Sequence, residues 1–498
     1  NITIVFKKTF SYFSRQIFYM TELIIHPADW LYYALYLIYA ITIIGTIIVV
    51  ILENRNPVKS IAWIVVLISL PFVGLIFYLF FGQDFRRHRM ISRKSKRKLR
   101  KGDFYPAVEI SKLNLSEDSK QLIRLCSSMG QMTFYPDNEV EIFISGKEKF
   151  ERLIQDINRA RKYIHIQYYI FENDKLGNKI RDLLIARAKE GIEVRVIYDD
   201  VGCWQVKNRF FNEMKTHGIE VYPFLEVTFP SLANRINYRN HRKLVVIDGK
   251  VGYIGGLNIA DRYMSESKLG FWRDTHARIT GPAVHGLQAS FSVDWSFIRK
   301  ELLAGPDYFP PTTMCGNTGI QIVTSGPIGQ WSNIALGFLR AISNAKRYLY
   351  IQTPYFLPTE ALLKVMQTAA LSKVDVRLMI PDRSDSTILR LATFSYVSQM
   401  LKAGVKVYLY QGGFLHAKTI VSDDEFFTIG STNLDFRSFE HNFEGNAFMY
   451  DKEKAIEMKE IFFKDLENCQ RIKPSVWRRR PTWEKFKESV VRLMSPVL

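Results

Sequence analysis

The chain has 498 residues, 47% of them hydrophobic and 14% aromatic, and a formal net charge of +19 at pH 7, a composition that supports one membrane module plus a large soluble one. Its four cysteines, Cys126, Cys203, Cys315 and Cys469, are scattered without paired spacing, which indicates neither a disulfide framework nor a zinc site and suits a reducing compartment. The basic excess is concentrated beside a membrane span, so acidic lipid is favoured over nucleic acid as the partner.

In residues 1–30, Phe6, Phe10, Phe13, Ile17 and Phe18 alternate with Lys7, Lys8 and Arg15, a pattern that fits a helix lying in the membrane interface or a packing helix of the membrane domain. Leu31–Leu52 and Ile61–Phe81 are uncharged and strongly apolar, and each is long enough to cross roughly 30 Å of hydrocarbon as a helix. Only Glu53–Ser60 separates them, so residues 31–85 read as a two-helix transmembrane hairpin, with Pro71 inside the second span. A cleaved signal peptide fits poorly, because the first run is too long for an h-region and a second follows at once. Ten lysines and arginines lie between Arg86 and Lys101. They put that flank on the cytoplasmic side, and either serve only as a topogenic linker or also lie along anionic headgroups.

After the basic linker and lead-in, 86–135, the sequence repeats itself. ARKYIHIQYYIF (Ala160–Phe171) pairs with AKRYLYIQTPYF (Ala345–Phe356), EVRVIYDD with DVRLMIPD, and GIEVYPF with GVKVYLY, each a helix end running into a buried strand. The order strand, helix, strand, helix, strand and hairpin predicts an α/β fold of two sandwich halves, 136–315 and 316–470, whose sheets pack together. Between the matched segments the first half carries ten extra residues, assigned to FLEVTFPSLANRINYRN before His241. Phe224, Phe229, Pro230 and Leu232 there either line an acyl-chain entrance or cap the core.

Each half ends in the same polar pattern. His241 is followed by Lys243, Asp248 and Asn258, and His416 by Lys418, Asp423 and Asn433, at identical offsets of two, seven and seventeen residues. HRKLVVID and HAKTIVSD, followed by VGYIGGLN and FFTIGSTN, read as a strand, a short turn and a second strand. Residues two apart share a strand face, which sets each histidine beside its lysine over one pocket. Such residues suit a phosphodiester: neutral imidazole attacks phosphorus, protonated imidazole gives a proton to the departing alcohol, and lysine with asparagine holds the charged oxygens. Asp248 and Asp423, near the hairpin turns, are expected to tie down the site rather than touch phosphate.

The paired HxKxxxxD segments with GGLN and GSTN resemble the signature of the phospholipase D superfamily. ENRNPVKSIAWIVVLISLPFVGLIFYLFFG, NHRKLVVIDGKVGYIGGLNIADRY, GFWRDTHARITGP and RLMSPVL further resemble bacterial cardiolipin synthases of that superfamily, over a stretch from about Leu31 to the C-terminus. The resemblance implies tandem phospholipase D-like halves with pseudo-twofold symmetry and one shared cleft. It implies His241 as nucleophile and His416 as acid/base, phosphate support from Asn258, Asn433, Gly256 and Ser431, and orienting acids beyond the asparagines: Asp274 in the first copy, Glu444 in the second. Neither a metal nor another cofactor is called for. The activity implied is phosphatidyl transfer between two phosphatidylglycerol molecules, giving cardiolipin and glycerol at a bacterial cell membrane, with anionic lipids as partners, the catalytic domain cytoplasmic and the oligomeric state open. Competing readings are a phospholipase D hydrolase, a transphosphatidylase with another alcohol, a nuclease, and a non-catalytic membrane scaffold, the last opposed by the completeness of both motifs. The CDP-lipid type of synthase needs a DGxxAR pattern that is not visible.

In the C-terminal segment, 471–498, Arg478, Arg479, Arg480, Lys485, Lys487 and Arg492 interleave with Trp477, Trp483, Phe486, Val490 and Leu493. The pattern predicts a basic amphipathic helix, either on the membrane surface or packed on the catalytic domain.

Overall fold

The computed structural model describes residues 27–52, 57–78, 99, 108–130, 132–227, 237–264, 266–267 and 269–495. The expected interfacial segment before residue 27, the ten basic residues of the flank, and Phe229, Pro230 and Leu232 lie outside them. The chain divides into two units, Asn1–Gln83 and Asp84–Leu498.

In the first unit, Pro27–Leu52 is one helix. Its 23-residue stretch Trp30–Leu52 covers ~35 Å at the α-helical rise, enough for a bilayer core. Its large apolar side chains stand mostly exposed, as contact with lipid requires. The second apolar run departs from a single span: it forms two helices, Pro57–Ser69 and Pro71–Phe77, interrupted at Leu70 with φ −131° and ψ 70°. Pro71 causes the break, since it has no N–H to donate and its ring pushes the preceding residue out of the helical region. Among the described residues only the Pro27–Leu52 helix is long and apolar enough to cross a membrane. Val50, Leu67 and Tyr78 nevertheless pack together, with the Trp63 ring edge-on at 5.4 Å from Tyr78, so both runs share an apolar seam.

In the second unit, runs rich in β-branched and aromatic residues form strands buried on both faces. Tyr163–Tyr168, Glu193–Asp199 and Glu220–Phe224 run parallel, connected through the helices Lys175–Lys189 and Asn208–Thr216. The hairpin Leu244–Ile247 with Val251–Gly255 then pairs antiparallel onto Tyr163–Tyr168. The second half repeats this with Tyr348–Gln352, Asp375–Pro381 and Lys406–Tyr410, followed by the hairpin Thr419–Ser422 with Phe426–Gly430. Matching strand orders extend to either side of the pairing between Phe134–Phe143 and Thr318–Ser325, which joins the halves.

The two faces of each strand feed different cores, as a period of two requires. Ile164, Ile166, Val245 and Ile247 pack with Phe150, Ile180 and Leu184 of the outer helices, while Leu244, Val246 and Ile254 turn inward. There they meet Val421, Phe427, Ile429 and Ala447 of the second half in one central cluster. The sheets therefore pack face to face, as the repeat predicts. Phe224 is fully buried with its ring 5.0 Å from Phe443, so it caps the core.

The helix Thr482–Arg492 packs on the catalytic unit, one of the two expected arrangements. Its inner side docks through Arg492, 4.3 Å from the Tyr396 ring, and through buried Glu488, paired with Arg480 at 2.6 Å; Trp483, Phe486, Val490 and Leu493 stay exposed on the other side.

Asp248 and Asp423 stand at the hairpin turns with left-handed backbones, φ 53° and 56°, which aspartate tolerates better than most residues. Asp248 accepts the backbone N–H groups of Arg161, Lys162 and Tyr163 at 2.8, 2.7 and 2.9 Å. Asp423 accepts those of Lys346, Arg347 and Tyr348 at 2.7, 2.9 and 2.9 Å. Each ties its hairpin to the start of the neighbouring strand. Asp248→Ala is expected to lower stability by ~2–3 kcal/mol in denaturant unfolding, because three donors lose one charged acceptor, while kcat per folded molecule stays within about twofold.

Candidate active site

The segment leading into each motif is pinned to the opposite half. Asn240 bridges to Phe443, and the His241 N–H donates to the Phe443 carbonyl at 2.8 Å. Likewise Gly413–Leu415 pairs in parallel with Gly270–Arg273, and the His416 N–H donates to the Arg273 carbonyl at 2.7 Å. Gly413 has φ 137°, and a Cβ there would lie 2.2 Å from the Phe271 carbonyl oxygen, so only glycine lets these strands meet. Immediately after each accepting carbonyl comes an acid, Glu444 and Asp274 respectively.

These acids cross between the halves. His241 Nδ1 lies 3.0 and 3.1 Å from the Glu444 carboxylate oxygens, and His416 Nδ1 lies 2.6 Å from Asp274 Oδ2. The sequence assigns each acid to the copy that carries it; the fold delivers it to the histidine of the other. At His241, bonding to the carboxylate holds the proton on Nδ1 and leaves Nε2 for chemistry, whereas His416 Nδ1 also lies 2.8 Å from Lys418 Nζ. Ser431 Oγ donates to Glu444 and receives the Gly445 N–H at 3.0 Å. At the matching position Gly256, a Cβ would lie 2.1 Å from Asp274 Oδ1, so glycine makes room for that carboxylate. Gly256 and Ser431, expected near phosphate, serve the orienting acids.

A buried polar frame supports this arrangement. Arg242 holds Asp294, to which Gln167 donates at 2.5 Å; Arg273 holds Asp465 at 2.9 and 2.7 Å, to which Gln352 donates at 2.7 Å. Gln167 and Gln352 are matched residues of the repeat, so pairing buried charge with equivalent partners is common to both halves.

The lysines sit lower than expected. Strands begin at Leu244 and Thr419, one residue past each lysine; Lys243 Nζ donates to the His241 carbonyl at 2.7 Å and Lys418 Nζ to that of His416. Burial pushes the Lys418 ammonium down to about 8 and Lys243 well below its usual range. Burial, with Lys243 adding to it, also lowers the His241 imidazole, and burial with Lys418 pushes His416 down to about 4. Burial would raise both acids, but Lys418 with His416 holds Asp274, and His241 with Lys243 holds Glu444, below the usual carboxylate range.

Both histidines, with Asn258 and Asn433, open onto one cavity of about 900 Å³. Asn258 Nδ2 donates to the Tyr263 hydroxyl at 2.8 Å, and Asn433 Nδ2 to Asp435 at 3.0 Å. Sequence reasoning missed Tyr169, edge-on to His241 at 5.1 Å, and Trp272, 5.1 Å from His416. It also missed Arg262 and Arg437 on the cavity wall. Their signal was present: each stands four residues after its motif asparagine, in NIADRY and NLDFRS. Acting together, these groups can divide nucleophilic and acid roles at one phosphorus.

The family described as "Cardiolipin synthase, PLD-like domain" matches residues 153–295 and 338–466. The chain belongs to this cardiolipin synthase family of phospholipase D-like proteins. A second family, "Phospholipase_D-nuclease N-terminal", matches residues 40–83. The chain is 42% identical to the major cardiolipin synthase of Bacillus subtilis over 93% of its own length and 98% of that protein's, and 39% identical to the cardiolipin synthase of Listeria innocua over 94% and 99%. In fold it is similar to the crystal structure of phosphatidylserine synthase from Haemophilus influenzae, with TM-score 0.56 at 14% identity over 76% of this chain and 100% of that one.

In imidazole NMR titrations, Glu444→Gln is expected to lower the His241 pKa by a further ~1 unit or more and to leave His416 within about 0.3 unit, with Asp274→Asn acting on His416 instead. A response within the same half would restore the uncrossed pairing.

Proposed function

We propose that the protein transfers a phosphatidyl group from one phosphatidylglycerol to another, yielding cardiolipin and glycerol. The observation that carries this reading is the pair of histidines, each bonded to a carboxylate from the opposite half, facing one cavity. Nε2 of one ring attacks phosphorus while the other ring donates a proton to the leaving glycerol oxygen. A phosphohistidine remains. The second ring, now a base, takes the proton from a hydroxyl of the acceptor lipid as that oxygen displaces the first histidine. Reactant and product are both phosphodiesters, so the exchange consumes no activated nucleotide.

We assign the nucleophile to His241 and the acid/base role to His416. Burial and Lys418 push His416 down to about 4. An arriving phosphodiester anion raises the pKa of both rings and lets one retain the acid proton. Activity should therefore be bell-shaped in pH, declining in acid as the attacking ring protonates and in base as the donor loses its proton.

Two membrane passes, by Pro27–Leu52 and by the broken helix pair after it, with the catalytic unit cytoplasmic and the basic flank on anionic lipid, complete the proposal. A membrane-held cleft meets acceptor lipid at high local concentration, which favours transfer over hydrolysis. The exposed aromatic side of Thr482–Arg492, with Lys485 and Lys487 on the same helix, suits the same lipid surface.

Purified protein supplied only with phosphatidylglycerol in detergent is expected to form cardiolipin and release glycerol, and His241→Ala or His416→Ala should lower the rate by ~10³-fold or more. Phosphatidic acid as the sole product would identify a hydrolase instead. In protein lacking residues 1–83, replacing both Trp483 and Phe486 with serine should weaken binding to anionic vesicles ~10-fold or more, measured by vesicle sedimentation, with activity in detergent retained in the full chain.

A further inference from the structure

Arg262 and Arg437 occupy matched positions of the repeat and both line the catalytic cavity, yet they are satisfied differently. Arg262 pairs with Glu172 at 2.5 Å and lies over the Tyr263 ring at 5.1 Å. Glu172 follows Phe171 directly, and the equivalent residue after Phe356 is Leu357, a buried apolar side chain. The register is secure, because Asp174 and Thr359, two residues further on in each half, both cap the next helix. The second half thus has no carboxylate at the position that neutralises the arginine of the first.

Arg437 is half-buried, and among the described residues none gives its guanidinium a hydrogen bond or an ion pair. The other carboxylates on the cavity wall are engaged. Asp261 accepts the backbone N–H groups of Lys175 and Leu176, Asp385 holds the Tyr355 hydroxyl, and Asp435 holds Asn433 and the Ser438 N–H. Arg437 acts electrostatically on the Tyr169 hydroxyl, and the Tyr169 ring packs edge-on to His241. A partly desolvated guanidinium without a counter-ion among the described residues, on the wall of the cavity that both histidines face, is suited to an anion.

We propose that Arg437 binds the phosphodiester of the acceptor lipid, one glycerol unit away from the phosphorus under attack. The inference rests on the transfer reading above. An acceptor phosphatidylglycerol carries its own negative phosphate three carbons from the attacking hydroxyl. Pairing that phosphate with Arg437 holds the hydroxyl at the phosphohistidine and discriminates against water and free glycerol, which bring no anion.

The two acceptor classes separate the test. Purified full-length protein is assayed for cardiolipin formation from phosphatidylglycerol, and for exchange of labelled free glycerol into phosphatidylglycerol, which passes through the same phosphohistidine with a phosphate-free acceptor. For Arg437→Gln, cardiolipin formation should fall ~10- to 100-fold, the range expected on losing a charge-assisted hydrogen bond, and at least tenfold more than glycerol exchange, with phosphatidic acid rising as water takes the acceptor's place. Arg437→Lys should recover part of the loss. Equal falls in both reactions, or no fall in cardiolipin formation, would overturn the assignment. Wild-type protein that exchanges glycerol but makes no cardiolipin would refute the transfer reading itself, before any variant is made.

Discussion

Each motif histidine bonds to a carboxylate it does not share a half with. His241 has Glu444 behind it and His416 has Asp274, and the backbone N–H of each histidine is held by the carbonyl of the residue just before that acid. Two bonds per ring, one from the side chain and one from the main chain, fix its position and its tautomer. Neither half alone contains an oriented histidine. Duplication and function are thereby tied together: separating the halves removes not one of two sites but both.

This dependence explains the density of buried charge around the cleft. Arg242 with Asp294 and Arg273 with Asp465 are pairs that would weigh against folding if left incomplete, and each is completed by a matched glutamine from the repeated strand. Below the rings, buried Lys243 and Lys418 lower the proton affinity of the imidazoles, while the two acids restore part of it. The cleft therefore sets both rings above two buried lysines, an electrostatic setting that favours an entering phosphodiester anion. Symmetry is broken one layer outward, where Glu172 faces Arg262 but Leu357 stands at the matching position of the second half.

Much of this was legible in the chain. Identical offsets from His241 and His416 disclosed the duplicated site, and matched segments such as ARKYIHIQYYIF and AKRYLYIQTPYF disclosed the repeated α/β order, because strand periodicity and polar spacing are local properties. Placement of Asp248 and Asp423 at turns was also readable, since a hairpin turn after an apolar run fixes where the seventh residue falls. The second apolar run shows the opposite. Its composition reads as one span, but Pro71 divides it, and backbone hydrogen bonding overrides hydropathy there.

What sequence alone determined is the inventory: two histidines, two lysines, two asparagines and two acids, distributed over two α/β halves behind an apolar N-terminal segment. What only the tertiary structure decided is which of them meet. The crossing of Asp274 and Glu444, the descent of the lysines beneath the rings, and the use of Gly256 and Ser431 as supports for the acids all arise where residues more than a hundred positions apart come together, or where a side chain takes the nearest partner the fold supplies. Spacing along a chain encodes which face of a strand a residue occupies; it carries no information about the identity of the surface packed against that face.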